Sequence, residues 1–313
     1  MSGGITDLRE SSKATGRMRR IGVKQKKHSR GHGDTAFHHK HSLGQNFIED
    51  EALLERLCDL SLVTKEDCVL EIGAGFGALT RPLATRAKQL VSVEIDRALI
   101  PILNVVLDGS PNARVVNADV MRTDLAKLVA ESFGVDAPLR IAANLPYYIT
   151  TDVLTKLMRE LPQAKSIAVM VQKEVGDKLL SQPGEEGYGP LALGCRYHYD
   201  VRRALDVPAQ CFTPPPKVDS SFMVLERRSH PAYPVKDEAL LMRLIKGAFS
   251  MRRKTLANNL SACFAMDRQA AIGCIERAGL DAQVRAEALS LEEFCALSMQ
   301  IDEFLTNARM DNP

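Results

Sequence analysis

The chain has no tryptophan and no Cys-x-x-Cys pair. Its apolar runs, such as 167–171, fall far short of the roughly 20 residues that span a bilayer. No apolar segment lies near the N-terminus, so no secretory signal is expected. These absences predict neither a membrane protein nor a secreted one, and they point to the cytoplasm. The seven cysteines (Cys58, Cys68, Cys195, Cys211, Cys263, Cys274, Cys295) are odd in number and mostly embedded in apolar segments. That argues against a disulfide scaffold and the familiar zinc spacings, and predicts reduced, buried thiols with no metal site.

Net charge is scarce too, at +2 over 313 residues, but it is unevenly spread. Residues 1–41 carry +7 and five of the seven histidines, leaving −5 for the remainder. With few large apolar side chains, this leader cannot bury enough surface to fold alone. Its composition predicts a disordered basic arm drawn to polyanions. Two acids within its first ten residues, Asp7 and Glu10, argue against a mitochondrial presequence.

From Leu43 onward, short β-branched runs alternate with helical periodicity. Strands are predicted over 68–72, 90–95, 113–118, 139–143 and 165–171. Helical spacing fills 79–86, 99–107, 125–131 and 151–161. That alternation predicts an α/β, Rossmann-like parallel sheet covered on both faces. Two later β-rich stretches, 197–207 and 221–227, are expected to add a hairpin at one sheet edge. His230, Pro231 and Pro234 mark a linker, and beyond it 237–249, 252–264, 268–278 and 291–307 show helical spacing. The expected organisation is an arm over 1–41, a Rossmann-like α/β domain over 42–229 and a small all-α C-terminal domain over 235–313.

Chemistry first shows at Glu71-Ile72-Gly73-Ala74-Gly75-Phe76-Gly77, between a strand and a helix. Glycines there permit a sharp turn and let the backbone of Gly73 and Gly75 approach a ligand at a helix N-terminus. About twenty residues on, the second strand ends in Glu94 and Asp96, where a carboxylate can accept both hydroxyls of a ribose. NAD and S-adenosylmethionine sites share this layout. The spacing here is GxGxG rather than GxGxxG, and Asp119 at the tip of the third strand can accept from an adenine amine. Both features favour S-adenosylmethionine.

The fourth strand runs into Asn144-Leu145-Pro146-Tyr147. An adenine N6 amine is a poor nucleophile because its lone pair is delocalised into the ring. The Asn144 side-chain oxygen and a backbone carbonyl beside Pro146, that of Leu145, can each accept one N6 hydrogen. The nitrogen is thereby drawn toward tetrahedral geometry without a metal or a strong base. Positioning of this kind contributes roughly 7–11 kcal/mol, with electrostatic stabilisation adding to it. Tyr147 offers a ring on which an extruded base can stack, worth about 1–3 kcal/mol.

Together with Leu43-Gly44-Gln45-Asn46-Phe47-Ile48, Gln172-Lys173-Glu174, Phe212-Thr213-Pro214-Pro215-Pro216 and Arg252-Arg253-Lys254, these motifs resemble the small-subunit ribosomal RNA adenine dimethyltransferase family, known for kasugamycin sensitivity. The resemblance covers about 42–297. It implies cofactor contacts from Asn46, Ile48, Gly73, Glu94, Asp119 and Asn144, and a target adenine held between Tyr147 and Phe212. Two departures stand out: Ile48 where the family usually has Leu, and Ala74 where it often has Pro.

Arg252, Arg253 and Lys254 are predicted to open a helix, where cations oppose the macrodipole; that conflict points to RNA phosphates instead. Arg202, Arg203, Arg227 and Arg228 are expected to extend the basic surface. The implied activity is N6,N6-dimethylation of two adjacent adenines in the 3′-terminal hairpin loop of small-subunit rRNA, during small-subunit biogenesis. The implied partner is the immature 30S-type subunit, met by a monomer. Alternatives are a large-subunit rRNA adenine methyltransferase of the macrolide-resistance type and a non-catalytic assembly or transcription factor on the same fold. A dehydrogenase is disfavoured because no His/Arg pair occupies a plausible hydride site.

Overall fold

The computed structural model describes residues 46–251 and 253–310. The arm predicted over 1–41 lies outside them. After a two-residue strand, Phe47–Ile48 (β1), come Cys68–Ile72 (β2), Gln89–Glu94 (β3), Ala113–Asn117 (β4), Leu139–Asn144 (β5) and Ser166–Gln172 (β6). The last five pair in parallel in the order β4-β3-β2-β5-β6. Every residue of β2 is buried, because a parallel strand is covered on both faces and has no polar side to show. Tyr199–Val207 (β7) and Ser220–Arg227 (β9) continue the sheet antiparallel, as β6-β9-β7, which is the predicted edge hairpin. Between them Phe212–Thr213 (β8) leaves the sheet and pairs with β1.

The covering helices are Glu51–Leu60 (α1), Thr80–Arg86 (α2), Ile100–Val106 (α3), Leu125–Phe133 (α4), Thr150–Glu160 (α5), Lys173–Leu180 (α6) and Pro190–His198 (α7). Local chemistry sets several of their starts. Asp50 caps α1 by accepting from the N–H groups of Ala52 and Leu53, and Asp124 caps α4 by accepting from Lys127. One face of the sheet packs Ile72, Val93, Ile141 and Val169 against Leu125, Val129, Val153 and Leu157 of α4 and α5. The opposite face packs Val69, Leu90, Ala142 and Met170 against Leu54, Leu57 and Leu83 of α1 and α2. Burial of each such leucine stabilises the fold by roughly 1.5–3 kcal/mol.

Glu238–Ala248 (α8), Leu256–Phe264 (α9), Arg268–Arg277 (α10) and Leu291–Met310 (α11) form the helical C-terminal part. Their core, built on Leu241, Leu244, Leu260, Ile275 and Phe294, also takes in Tyr188, Leu193 and Tyr197 from α7 and the loop before it. His198 Nε2 donates to Glu238 Oε1 at 2.9 Å, a polar tie between α7 and α8 beside that shared core.

Three expectations are corrected. First, α9 begins at Leu256, so Arg253 and Lys254 are exposed in the turn after α8 rather than in the first turn of a helix. The macrodipole argument therefore fails, and Arg252 lies outside the described residues. Second, Tyr197 and His198 end α7 instead of beginning a strand. Third, the arginines of the edge hairpin are not free charge. Arg202 pairs with Glu226, Arg203 with Asp177 and Arg228 with Asp200, while Arg227 lies over the Tyr199 ring. Ion pairs of this kind cancel most of the field that would attract phosphate.

Candidate functional site

Strand order reverses between β2 and β5. Open α/β sheets hold ligands at such a point, beyond the carboxyl ends of the strands. Here a cavity of about 280 Å³ opens there. The chain leaves β2 through Gly73, at φ +77°, whose N–H donates to the Val93 carbonyl at 2.9 Å. A Cβ on Gly73 would lie 2.9 Å from the Asn144 carbonyl oxygen. At Gly75, φ +57°, a Cβ would lie 2.8 Å from the Phe47 ring. Both positions therefore need glycine for conformation and for space.

Glu94 ends β3 and is 5% exposed. Its Oε2 accepts from Gly75 N at 2.9 Å and its Oε1 from Asp96 N at 2.7 Å, so acid and glycine loop fix one another. Burial pushes its carboxyl above the ordinary glutamate value, against those two hydrogen bonds. Asn117, at the tip of β4, donates to the carbonyls of Glu94 and Ile95 and ties the two strand ends together. Asp119 follows; its Oδ1 accepts from Met121 N at 2.9 Å and Arg122 lies 3.5 Å from Oδ2. It caps a turn and also lines the cavity.

Asn144 closes β5. The Pro146 carbonyl is taken up within the next turn, accepting from Ile149 N at 3.2 Å and Thr150 Oγ1 at 3.3 Å. The residue before it, Leu145, also lines the cavity. Tyr147 is held by a 2.6 Å hydrogen bond between its hydroxyl and Ser220 Oγ. Pairing of β1 with β8 sets Ile48 opposite Phe212 and brings the segment from Asn46 to the cavity. Asn46, Ile48, Gly73, Gly75, Glu94, Asp119, Asn144, Leu145, Tyr147 and Phe212 all line this one cavity. Arg253 and Lys254 do not.

Sequence reasoning gave no role to Glu71, the carboxylate that opens the glycine motif. It is 1% exposed, and Oε2 accepts from both Thr80 Oγ1 at 2.7 Å and Ser92 Oγ at 2.5 Å. Oε1 is left without a hydrogen-bond partner among the described residues. Burial pushes the carboxyl up to about 7 against those bonds, and Glu94 adds to the rise. Its signal was available: an acid inside an otherwise apolar strand.

The lining thus holds three carboxylates, Glu71, Glu94 and Asp119, and among the described residues no Lys, Arg or His. Such a cavity repels a pyrophosphate and favours a ligand carrying positive charge, hydroxyls and amine donors. Asn144, Leu145, Tyr147 and Phe212 line the same cavity, bringing an amide side chain, a backbone segment and two aromatic rings together, the kinds of group that can hold a planar amine.

The model of one family, ribosomal RNA adenine dimethylase, matches residues 36–303. Ribosomal RNA small subunit methyltransferase A of Bacillus mycoides is 41% identical over 265 residues, covering 84% of this chain and 91% of that protein; the protein of the same name from Bacillus cereus matches equally. Among solved structures, the 23S rRNA methyltransferase ErmE superposes with a TM-score of 0.62 at 26% identity, covering 82% of this chain and 100% of that one. A dimethyladenosine transferase from Plasmodium falciparum gives a TM-score of 0.68 at 23% identity, covering 83% and 98%.

Proposed function

The chain belongs to the ribosomal RNA adenine dimethylase family, and we propose that it uses S-adenosylmethionine to dimethylate the N6 amines of two adjacent adenines in the 3′-terminal hairpin loop of small-subunit rRNA. The substrate is RNA within the immature 30S-type subunit, met in the cytoplasm by a monomer. The observation that carries this reading is the acid-rich cavity, without Lys, Arg or His among the described residues, shared by Asn144, Tyr147 and Phe212. The small-subunit assignment rests on relatives at 41% identity that bear that name, against 26% for the large-subunit enzyme.

When bound, S-adenosylmethionine supplies an electrophilic methyl on a sulfonium. Glu94 would hold its ribose hydroxyls, Asp119 its adenine amine, and Asn46, Ile48, Gly73 and Gly75 would complete the cradle. Asn144 Oδ1 and the Leu145 carbonyl accept the two N6 hydrogens and localise the lone pair. Tyr147 and Phe212 hold the base between their rings and exclude water. The helical part supplies RNA-binding surface, with Arg253 and Lys254 exposed on it and Arg252 beside them in sequence.

One experiment tests this reading. Purified protein is given immature small subunits or a short oligonucleotide carrying the same adenines, and products are mapped by mass spectrometry. Dimethylation of both adenines is expected on the subunit and little on the oligonucleotide, because selection rests on phosphate and shape contacts rather than on the flipped base alone. Asn144→Ala should lower turnover about 10²–10³-fold with little change in cofactor affinity, since its contact strengthens as the amine pyramidalises. Wild-type turnover in that variant removes the role given to Asn144.

A further inference from the structure

Packing leaves one aromatic ring unaccounted for. Every described phenylalanine and tyrosine is buried or half-buried except Tyr148, which is 64% exposed. A ring that size normally contributes 150–250 Å² to a core, so leaving it in water forgoes the largest single burial a side chain offers. Tyr148 is also not carried on a loose loop. It is the middle residue of a 3-10 turn, Tyr147–Ile149, braced by the Ile149 and Thr150 bonds to the Pro146 carbonyl and running directly into α5. The turn therefore fixes the Tyr148 backbone at the cavity rim, where Tyr148 lines the same cavity as Tyr147.

The two tyrosines differ in what holds them. Tyr147 is half-buried and anchored to Ser220 by its hydroxyl. Tyr148 has both ring face and hydroxyl available to an incoming ligand. Tyr148 directly follows Tyr147 in the chain and lines the same cavity. A nucleic-acid strand feeding one base into the cavity must leave the next base at its mouth. An exposed aromatic at that mouth offers a face on which the next base can stack.

We propose that Tyr148 is a positioning residue whose ring receives the base adjacent to the adenine in the cavity and sets the register in which the second adenine follows the first. This rests on the reading that two neighbouring adenines are modified. It adds to that reading a place where the second adenine waits. The ring acts through its face, so phenylalanine should replace it and alanine should not.

The test compares the wild-type chain with Tyr148→Ala and Tyr148→Phe on immature small subunits, following each adenine separately by mass spectrometry over time. A second arm uses the hairpin RNA with 2-aminopurine next to the target adenine and reads fluorescence quenching on binding. In Tyr148→Ala the rate for the second adenine should fall about fivefold to a hundredfold relative to the first, the range that base stacking on one ring carries. The quench should disappear, cofactor affinity and melting temperature should hold, and Tyr148→Phe should behave as wild type. Unchanged rates and quench in Tyr148→Ala overturn the proposal, and so does failure of the phenylalanine variant. If the wild type modifies no adenine pair, the proposed function falls; the quench then decides on Tyr148 alone. Loss in Tyr148→Ala with retention in Tyr148→Phe supports the ring as a base platform, and identical traces overturn it.

Discussion

Strand β2 has a buried carboxylate at each end, and the two are treated in opposite ways. Asp67, just before its N-terminal end, is 2% exposed; it accepts from Arg140 Nε at 2.9 Å, from Thr64 N and from Thr64 Oγ1, with Lys165 at 3.6 Å. Burial pushes its pKa up, but the bonds from Thr64 and Arg140 outweigh that and hold it below the ordinary value. Glu71, four residues on, is 1% exposed, yet it has two hydroxyl donors, no cation among the described residues and Glu94 nearby. The same strand thus carries a neutralised acid at one end and an uncompensated one at the other. A buried carboxylate with no cation beside it is costly to ionise, so burial raises Glu71 while Asp67 is held low. On β2 the acid at the amino end is tied into an ion pair, and the acid near the carboxyl end faces the cavity without one.

The sharpest way to break this comparison is Asp67→Ala. It leaves the Arg140 guanidinium, 19% exposed, without its carboxylate and should cost about 2–4 kcal/mol in urea denaturation, with unchanged cofactor affinity. The folded-state pKa of Asp67 is depressed, so its contribution is present above the unfolded value and is lost as pH falls through the folded one. The gap between wild type and variant should therefore shrink below about pH 4. A gap that persists there would mean that packing, not the ion pair, carries the stability. At the other end, Glu94→Gln should act on binding. Calorimetry is expected to show S-adenosylmethionine affinity about tenfold to a hundredfold lower, since hydrogen bonds to a charged acceptor are worth about 1.5–3 kcal/mol. Full affinity in that variant would place the ribose contact elsewhere.

The strands that carry these acids were legible because a parallel strand buried on both faces reads as an unbroken apolar run. Helices α6 and α7 were not. Each contains a glycine, Gly176 and Gly194, which lowers local helix propensity, and packing supplies what propensity lacks. At Gly176 a Cβ would come 3.0 Å from the Ser221 Cβ on β9, so close packing explains the residue that hid the helix. The β1–β8 ribbon is two residues per strand and wholly non-local, which no periodicity can reveal. Glu94, Asp119 and Asn144 were found from their places at strand ends. Asn46, Ile48 and Phe212 were reached only through family resemblance, because tertiary pairing alone brings them to the cavity. Arg253 and Lys254 were seen as charge, but the turn that holds them was misread as a helix.

The smallest effect is also the most direct probe of the uncompensated acid. Glu71→Gln keeps a carbonyl oxygen for Thr80 and Ser92 and removes only the titration. The Glu71 pKa is raised in the folded chain, so the folded state holds its proton more tightly than the unfolded one. Stability of the wild type therefore falls as pH rises from the ordinary glutamate value of 4.5 to about 7, and is level above that. Glutamine does not titrate, so the two proteins should match at pH 5, with the variant more stable by on the order of 1–2 kcal/mol at pH 8. Urea denaturation at the two pH values measures it. A bound cation in the cavity lowers the cost of ionising Glu71, so saturating S-adenosylmethionine should narrow the gap at pH 8. With its cation in place, the carboxyl end of β2 then behaves as the Asp67 end already does. A gap that is constant across pH would show that folding leaves the Glu71 pKa unshifted, and a gap indifferent to the cofactor would show that its proton is not linked to the cavity.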